Sequence, residues 1–139
     1  MIPRILIGVC AAIVLFLGGA HMAYTFFTHN FSPREGQLET AMKQAAPRIS
    51  SGMTMWKAWI SFHVSHSMGL MLFGLVYGYL TVCRWEVLQE SYFLAALGLL
   101  MLVGYVVLAR VYWFKAPLIG VSLATLFYVA GIVGTFARQ

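Results

Sequence analysis

Apolar residues run through this chain in four long blocks, and polar residues are confined to the stretches between them. The blocks are about Ile5–Phe27, Ala58–Cys83, Tyr92–Val111 and Leu118–Phe136. A helix that crosses a bilayer needs about 20 mostly apolar residues, and each block meets that length. None holds Asp, Glu, Lys or Arg in its interior; Arg110 stands at the very end of the third. Aromatic residues gather at the block ends: Tyr24, Phe26 and Phe27; Trp56 and Trp59; Trp85; Tyr112, Trp113 and Phe114. Amphipathic rings favour that level, where acyl chains meet headgroups. Pro3 and Pro117 precede the first and fourth blocks, where a missing N–H costs nothing. The pattern predicts an all-α fold, a four-transmembrane-helix bundle, read as one integral membrane domain over residues 1–139.

One connection is long, about residues 28–57. Within it Ser32-Pro33-Arg34-Glu35 reads as an N-cap, a proline at the first helical position and a Glu at the third. Leu38, Met42 and Ala45 follow at helical spacing. We expect a short amphipathic interfacial helix over about Pro33–Ala46, lying on the membrane surface; a solvated helical connector is the alternative. The other two connections are short, so neighbouring spans are antiparallel. Arg84, Glu86 and Glu90 are expected to form a solvated turn. The first block resembles a secretory leader in having Arg4 and the small residues Gly18-Gly19-Ala20. Its apolar run continues past them to Phe27, and we read it as a span.

Composition narrows the classes. The chain is 61% hydrophobic and only 9% charged, against roughly 25% charged in a soluble domain. Its mean hydropathy is +0.83. That excludes a soluble enzyme, a nucleic-acid-binding domain and a disordered tail. The net charge of +5 suits anionic headgroups. Arg34, Lys43, Arg48, Lys57, Arg110 and Lys115 fall on the side of the long loop, and Arg4, Arg84 and Arg138 on the side of the termini. The positive-inside rule then puts the long loop in the cytoplasm of a cell whose inner membrane holds the protein. Cys10 and Cys83 carry no CxxC spacing and are expected to be free thiols.

In lipid, helices associate through close contact between small residues and through interhelical hydrogen bonds. Each span has such a face: Ala11, Gly18 and Thr25; Gly74 and Gly78 within Gly74-Leu75-Val76-Tyr77-Gly78; Ala95, Gly98 and Ala109; Gly120, Ala124, Gly131 and Gly134. These faces predict a compact bundle, and equally contacts with other membrane subunits or with further copies of the chain.

The most informative residues are histidines. His21 lies near the end of the first span, and His63 and His66 near the start of the second. With antiparallel spans and a rise of about 1.5 Å per residue, all three sit roughly 8–12 Å below the long-loop surface. Tyr105 is expected to reach the same layer from the third span, Ser122 and Thr125 from the fourth, with Ser61, Ser65 and Ser67 adding hydroxyls. Ionisable groups at that depth are costly and usually face the interior with a partner. Three readings compete. Imidazoles could ligate a transition metal or a haem, through His21, His63 and His66. The layer could hydrogen-bond a quinone or a lipid headgroup through the imidazoles and Tyr105. Or the histidines could join helices in an accessory or structural subunit of a larger assembly. No carboxylate lies in the layer, so an orienting acid for nucleophilic catalysis is missing and a carboxylate-bridged di-iron centre is excluded.

The stretch Trp56–Gly78, WKAWISFHVSHSMGLMLFGLVYG, taken with Gly19-Ala20-His21-Met22-Ala23-Tyr24-Thr25, resembles a family of small four-span bacterial membrane proteins without assigned activity. The shared motifs are Gly-x-His-x-x-Tyr-Thr in helix one and Ser-His-Ser-x-Gly followed by Phe-Gly in helix two. The resemblance implies a fold and no chemistry. Ser65-His66-Ser67-Met68-Gly69 also resembles the haem-binding helix of succinate dehydrogenase membrane anchors. It departs from them in lacking an Arg after the His and a later His-rich helix, and in its four spans.

Overall fold

A computed structural model describes residues 1–137. Among them are six helices: α1 (Ile2–Phe27), α2 (Gly36–Gln44), α3 (Met55–Cys83), α4 (Trp85–Glu90), α5 (Tyr92–Tyr112) and α6 (Lys115–Phe136), with no strand. Helices α1, α3, α5 and α6 have 26, 29, 21 and 22 residues and are apolar enough to cross a membrane. Even the shortest reaches about 30 Å at the α-helical rise, the thickness of a hydrocarbon core. The protein is an all-α, multi-pass membrane protein. Arg138, counted above with the termini, lies outside the described residues.

The four long helices overrun the apolar blocks by a few residues at several ends. Pro3 and Pro117 therefore sit inside the first turns of α1 and α6 instead of ahead of them. The first-turn amides have no intrahelical acceptor, so proline is accommodated there.

Contacts within the chain divide it into two compact units, to both of which α1 and α3 contribute. The first comprises Met1–Leu17 and the chain from Leu70 onward. Its core is built from Ile7, Cys10 and Val14 of α1, Leu70, Phe73 and Tyr77 of α3, Leu102 of α5 and Tyr128 of α6. Small residues allow this packing. A Cβ placed on Gly74 would lie 2.6 Å from Leu15 Cβ and 2.8 Å from the Ala11 carbonyl oxygen, so α1 and α3 touch backbone to backbone. A Cβ on Gly131 would come within 2.5 Å of Ile7 Cγ1 and 3.0 Å of the Pro3 carbonyl oxygen, which marks the same kind of approach between α6 and α1. Such contact is what holds helices together where the solvent is as apolar as leucine.

Two polar devices complete this unit. Helix α3 has no basic residue in its last turn, and its terminal carbonyls need donors. Arg4 supplies them from α1: Nε donates to the Thr81 carbonyl, and Nη2 donates to the Val82 carbonyl at 2.6 Å. A cation at a helix C-terminus also opposes the negative end of the macrodipole. The second device joins α3, α5 and α6. Tyr77 Oη donates to the Leu94 carbonyl at 2.7 Å and Tyr128 Oη to the Ala95 carbonyl at 3.0 Å. The two rings meet edge to face, 5.6 Å apart. Gly98 makes room for them, since a Cβ there would fall 2.6 Å from Tyr128 Cζ and 2.7 Å from Tyr77 Oη.

The segment expected to be a solvated turn between the second and third spans is instead α4, whose Leu88 is buried in the core of this unit. Arg84, Glu86 and Glu90 flank the buried Leu88 and the partly buried Trp85, and burying these apolar side chains orders the turn.

The second unit is Gly18–Gly69. Here α2 begins at Gly36, later than the Pro33 expected, and Glu35 occupies its N-cap without a side-chain cap bond. The amide of Ser32 donates to the His29 carbonyl at 3.0 Å. That closes a turn upstream of the helix and leaves Ser32 and Pro33 outside it. The amide of Met55 donates to the Ala45 carbonyl at 2.8 Å, tying the end of α2 to the start of α3. Lys43 pairs with Glu39 at 2.5 Å and lies 5.1 Å from the centroid of the Trp56 ring.

Candidate functional site

Three of the four sequence-predicted site residues come together in the second unit. His21 stands on α1, and His63 and His66 stand three apart on α3, hence on one side of that helix. His21 Nε2 and His63 Nδ1 are hydrogen-bonded at 2.8 Å. Their rings stack with centroids 5.0 Å apart, and the His66 ring meets His21 edge-on at 5.3 Å. The helix backbone braces this arrangement in the same way on both sides. Thr25 Oγ1 donates to the His21 carbonyl at 2.8 Å, and Ser67 Oγ to the His63 carbonyl at 2.9 Å.

Aromatic residues cover the imidazoles. Phe31, in the turn that follows α1, lies 4.4 Å from the His21 ring and 4.6 Å from the His63 ring. Trp59, one turn before His63 on α3, presents its edge to that ring at 4.5 Å. Trp59 Nε1 donates to the Phe31 carbonyl at 3.0 Å, so the covering loop is itself fastened to α3. Sequence reasoning placed Trp59 among the interfacial rings and gave Phe31 no role. The i, i+4 spacing of Trp59 and His63 was a usable signal; Phe31, in an irregular segment, offered none.

Tyr105, the fourth predicted residue, belongs to the first unit, where it packs against the core with its ring 6.4 Å from Trp113. Ser122 and Thr125 belong there too, and Thr125 Oγ1 donates to the Val121 carbonyl at 2.7 Å. Ser61 and Ser65 are exposed and turn their hydroxyls to their own helix, onto the Ala58 and Phe62 carbonyls at 2.9 and 3.1 Å. His29 is exposed.

The geometry states what this cluster can do. In a hydrogen bond between two imidazoles one nitrogen carries the proton and the other accepts it. Each of the two facing lone pairs or protons is thereby used on the other ring. Two nitrogens on one tetrahedral ion stand about 3.3 Å apart at a metal–nitrogen length of ~2.0 Å and aim at the ion. Two axial haem ligands stand on opposite sides of the iron, about 4 Å apart at the same bond length. His21 and His63 aim at each other across 2.8 Å. Among the described residues no three His, Cys, Asp or Glu side chains are placed to share an ion. The arrangement of the described residues does not fit a three-imidazole metal centre.

Cys10 is buried in the first unit and Cys83 is exposed; both are free thiols.

Comparison with known proteins finds no match: no family model, no curated protein and no solved structure aligns with the chain.

Proposed function

We propose that this protein is an accessory or structural subunit of a larger membrane assembly, and that its histidine cluster joins helices and carries no cofactor. The observation behind this reading is the interhelical hydrogen bond between His21 and His63 beneath Phe31 and Trp59. Each of these two rings gives one nitrogen, His21 Nε2 and His63 Nδ1, to the other helix's imidazole, which is the bond expected of a residue that joins helices. The modest burial of the spans supports the same view, since only 22–33% of each span's most apolar window is buried within the chain. The outward leucines and valines are left for lipid and for neighbouring subunits. Many of the small residues that could have recruited a partner, Gly74, Gly98 and Gly131 among them, are occupied in the first unit. Gly104 on α5 meets nothing within 4 Å and stays open for a partner helix or a second copy. In this reading α2 lies on the membrane surface, the loop 28–57 faces the cytoplasm, the host membrane is the inner one, and the resemblance to the small four-span family extends to role as well as motif.

The test is purification from native membranes under mild detergent, followed by an absorption spectrum, metal analysis and identification of stoichiometric partners. The expected result is a colourless, metal-free protein with membrane subunits attached, whose His21→Ala variant loses stability alone. A Soret band or a bound transition metal that disappears in His21→Ala or His63→Ala overturns the proposal. So does a protein that runs alone and binds a quinone through the histidines.

A further inference from the structure

A second feature of the Gly18–Gly69 unit lies away from the imidazoles. One face of α3 carries a groove of about 440 Å³, within the size range of small-molecule clefts. The groove is shallow and open; Trp56 and Lys57 line the end nearest the start of α3, taken as its mouth, and Ile60, Val64 and Met68 line the rest, taken as its floor. Ser61 and Ser65 flank the floor, but their hydroxyls are turned onto the Ala58 and Phe62 carbonyls, so the floor behaves as apolar surface. From Lys57 to Met68 the helix rises about 16 Å, close to half the ~30 Å hydrocarbon core and hence to one leaflet.

Charge completes the picture. Lys57 is exposed, and no carboxylate among the described residues pairs with it. Glu39 is held by Lys43, which lies over the Trp56 ring, so this acid is already neutralised. An unpaired cation and an indole at headgroup level, above an apolar track one leaflet deep, complement an anionic headgroup with a fatty chain. A neutral quinone head would leave the ammonium without a counterion.

We propose that this groove seats one acyl chain of an anionic phospholipid, whose phosphate is met by the Lys57 ammonium. The site does not use the histidine cluster, and it stands whether or not the chain has protein partners. The experiment is native mass spectrometry of the full-length protein in detergent, titrated with dioleoyl phosphatidylglycerol or dioleoyl phosphatidylcholine. A single membrane-surface cation predicts about fivefold tighter binding of the anionic lipid. Lys57→Gln should abolish that preference, while Lys115→Gln should preserve it. Val64→Trp, which fills the floor, should weaken both lipids together. Equal binding of the two lipids by the unmodified protein overturns the proposal, as does a preference that survives Lys57→Gln. Undiminished binding to a folded Val64→Trp variant, or displacement of phosphatidylglycerol by equimolar ubiquinone, overturns it as well. Lys57 is an exposed side chain, so the Lys57→Gln arm is decisive even if Val64→Trp fails to fold.

Discussion

Replacing Gly74 by Ala adds one methyl group at the point where α1 and α3 come closest. The new Cβ would lie 2.6 Å from Leu15 Cβ, 2.8 Å from the Ala11 carbonyl oxygen and 2.9 Å from Leu15 Cα. Carbon atoms in contact prefer about 3.5–4.0 Å, so the two helices must separate by roughly 1 Å at this level. Two of the three obstructing atoms are backbone, and no rotamer change relieves them. Overpacking of this kind costs about 1–3 kcal/mol, and the upper part of that range applies when backbone must move. Alanine in a helix interior returns about 0.5–1 kcal/mol relative to glycine. The net expectation is a loss of about 1–2 kcal/mol, the difference of those two figures. Gly104→Ala provides the control, because a Cβ there meets nothing within 4 Å. It should be neutral or stabilising by up to about 1 kcal/mol. Both variants can be measured by SDS titration of the protein in mixed micelles, followed by tryptophan fluorescence and circular dichroism. Gly74→Ala as stable as the unmodified protein, or an equal loss from Gly104→Ala, would refute the backbone contact between α1 and α3.

Three further outcomes use the same assay. Arg4→Met keeps the apolar stem of the side chain but removes both bonds to the α3 C-terminus, and should cost about 1 kcal/mol given partial exposure; a loss that vanishes at high salt would contradict a hydrogen-bonded cap. A double-mutant cycle on His21→Ala and His63→Ala should return a coupling of about 0.6 kcal/mol, the average for interhelical hydrogen bonds in membranes, and no more than about 1.7 kcal/mol; zero coupling would deny the bond. Leu88→Ala should destabilise by about 2–5 kcal/mol as a buried truncation, whereas an effect near zero would return the α4 segment to the status of a solvated turn.

The position of the histidines illustrates how far a linear reading reaches. His21 and His63 are 42 residues apart, yet their depths follow from helix rise alone once the spans are known to be antiparallel. Their shared level was therefore legible; the bond between them was not. Tyr105, expected in the same layer from the third span, packs against the core of the first unit with its ring 6.4 Å from Trp113. Depth restricts a residue to a level of the membrane and leaves its direction around the helix open. Phe31 shows the complementary limit: it sits in an irregular turn, where no period announces a contact. The cap at Ser32 misled for a related reason, because a capping motif competes with other local bonds, and here the turn onto the His29 carbonyl prevailed.

The amino-acid sequence by itself determined the number of spans, their approximate ends and the sides that bear small residues. Hydrocarbon offers the backbone no hydrogen-bond partners, so an apolar run of sufficient length has one stable conformation, and that conformation is local. Tertiary structure alone decided which carbonyls Arg4 and the tyrosines reach, that Leu88 orders α4, and that His21 and His63 each give one nitrogen to the other. Those outcomes depend on which backbones approach within a few ångströms of one another. That approach is a property of the packed whole, and no window of sequence contains it.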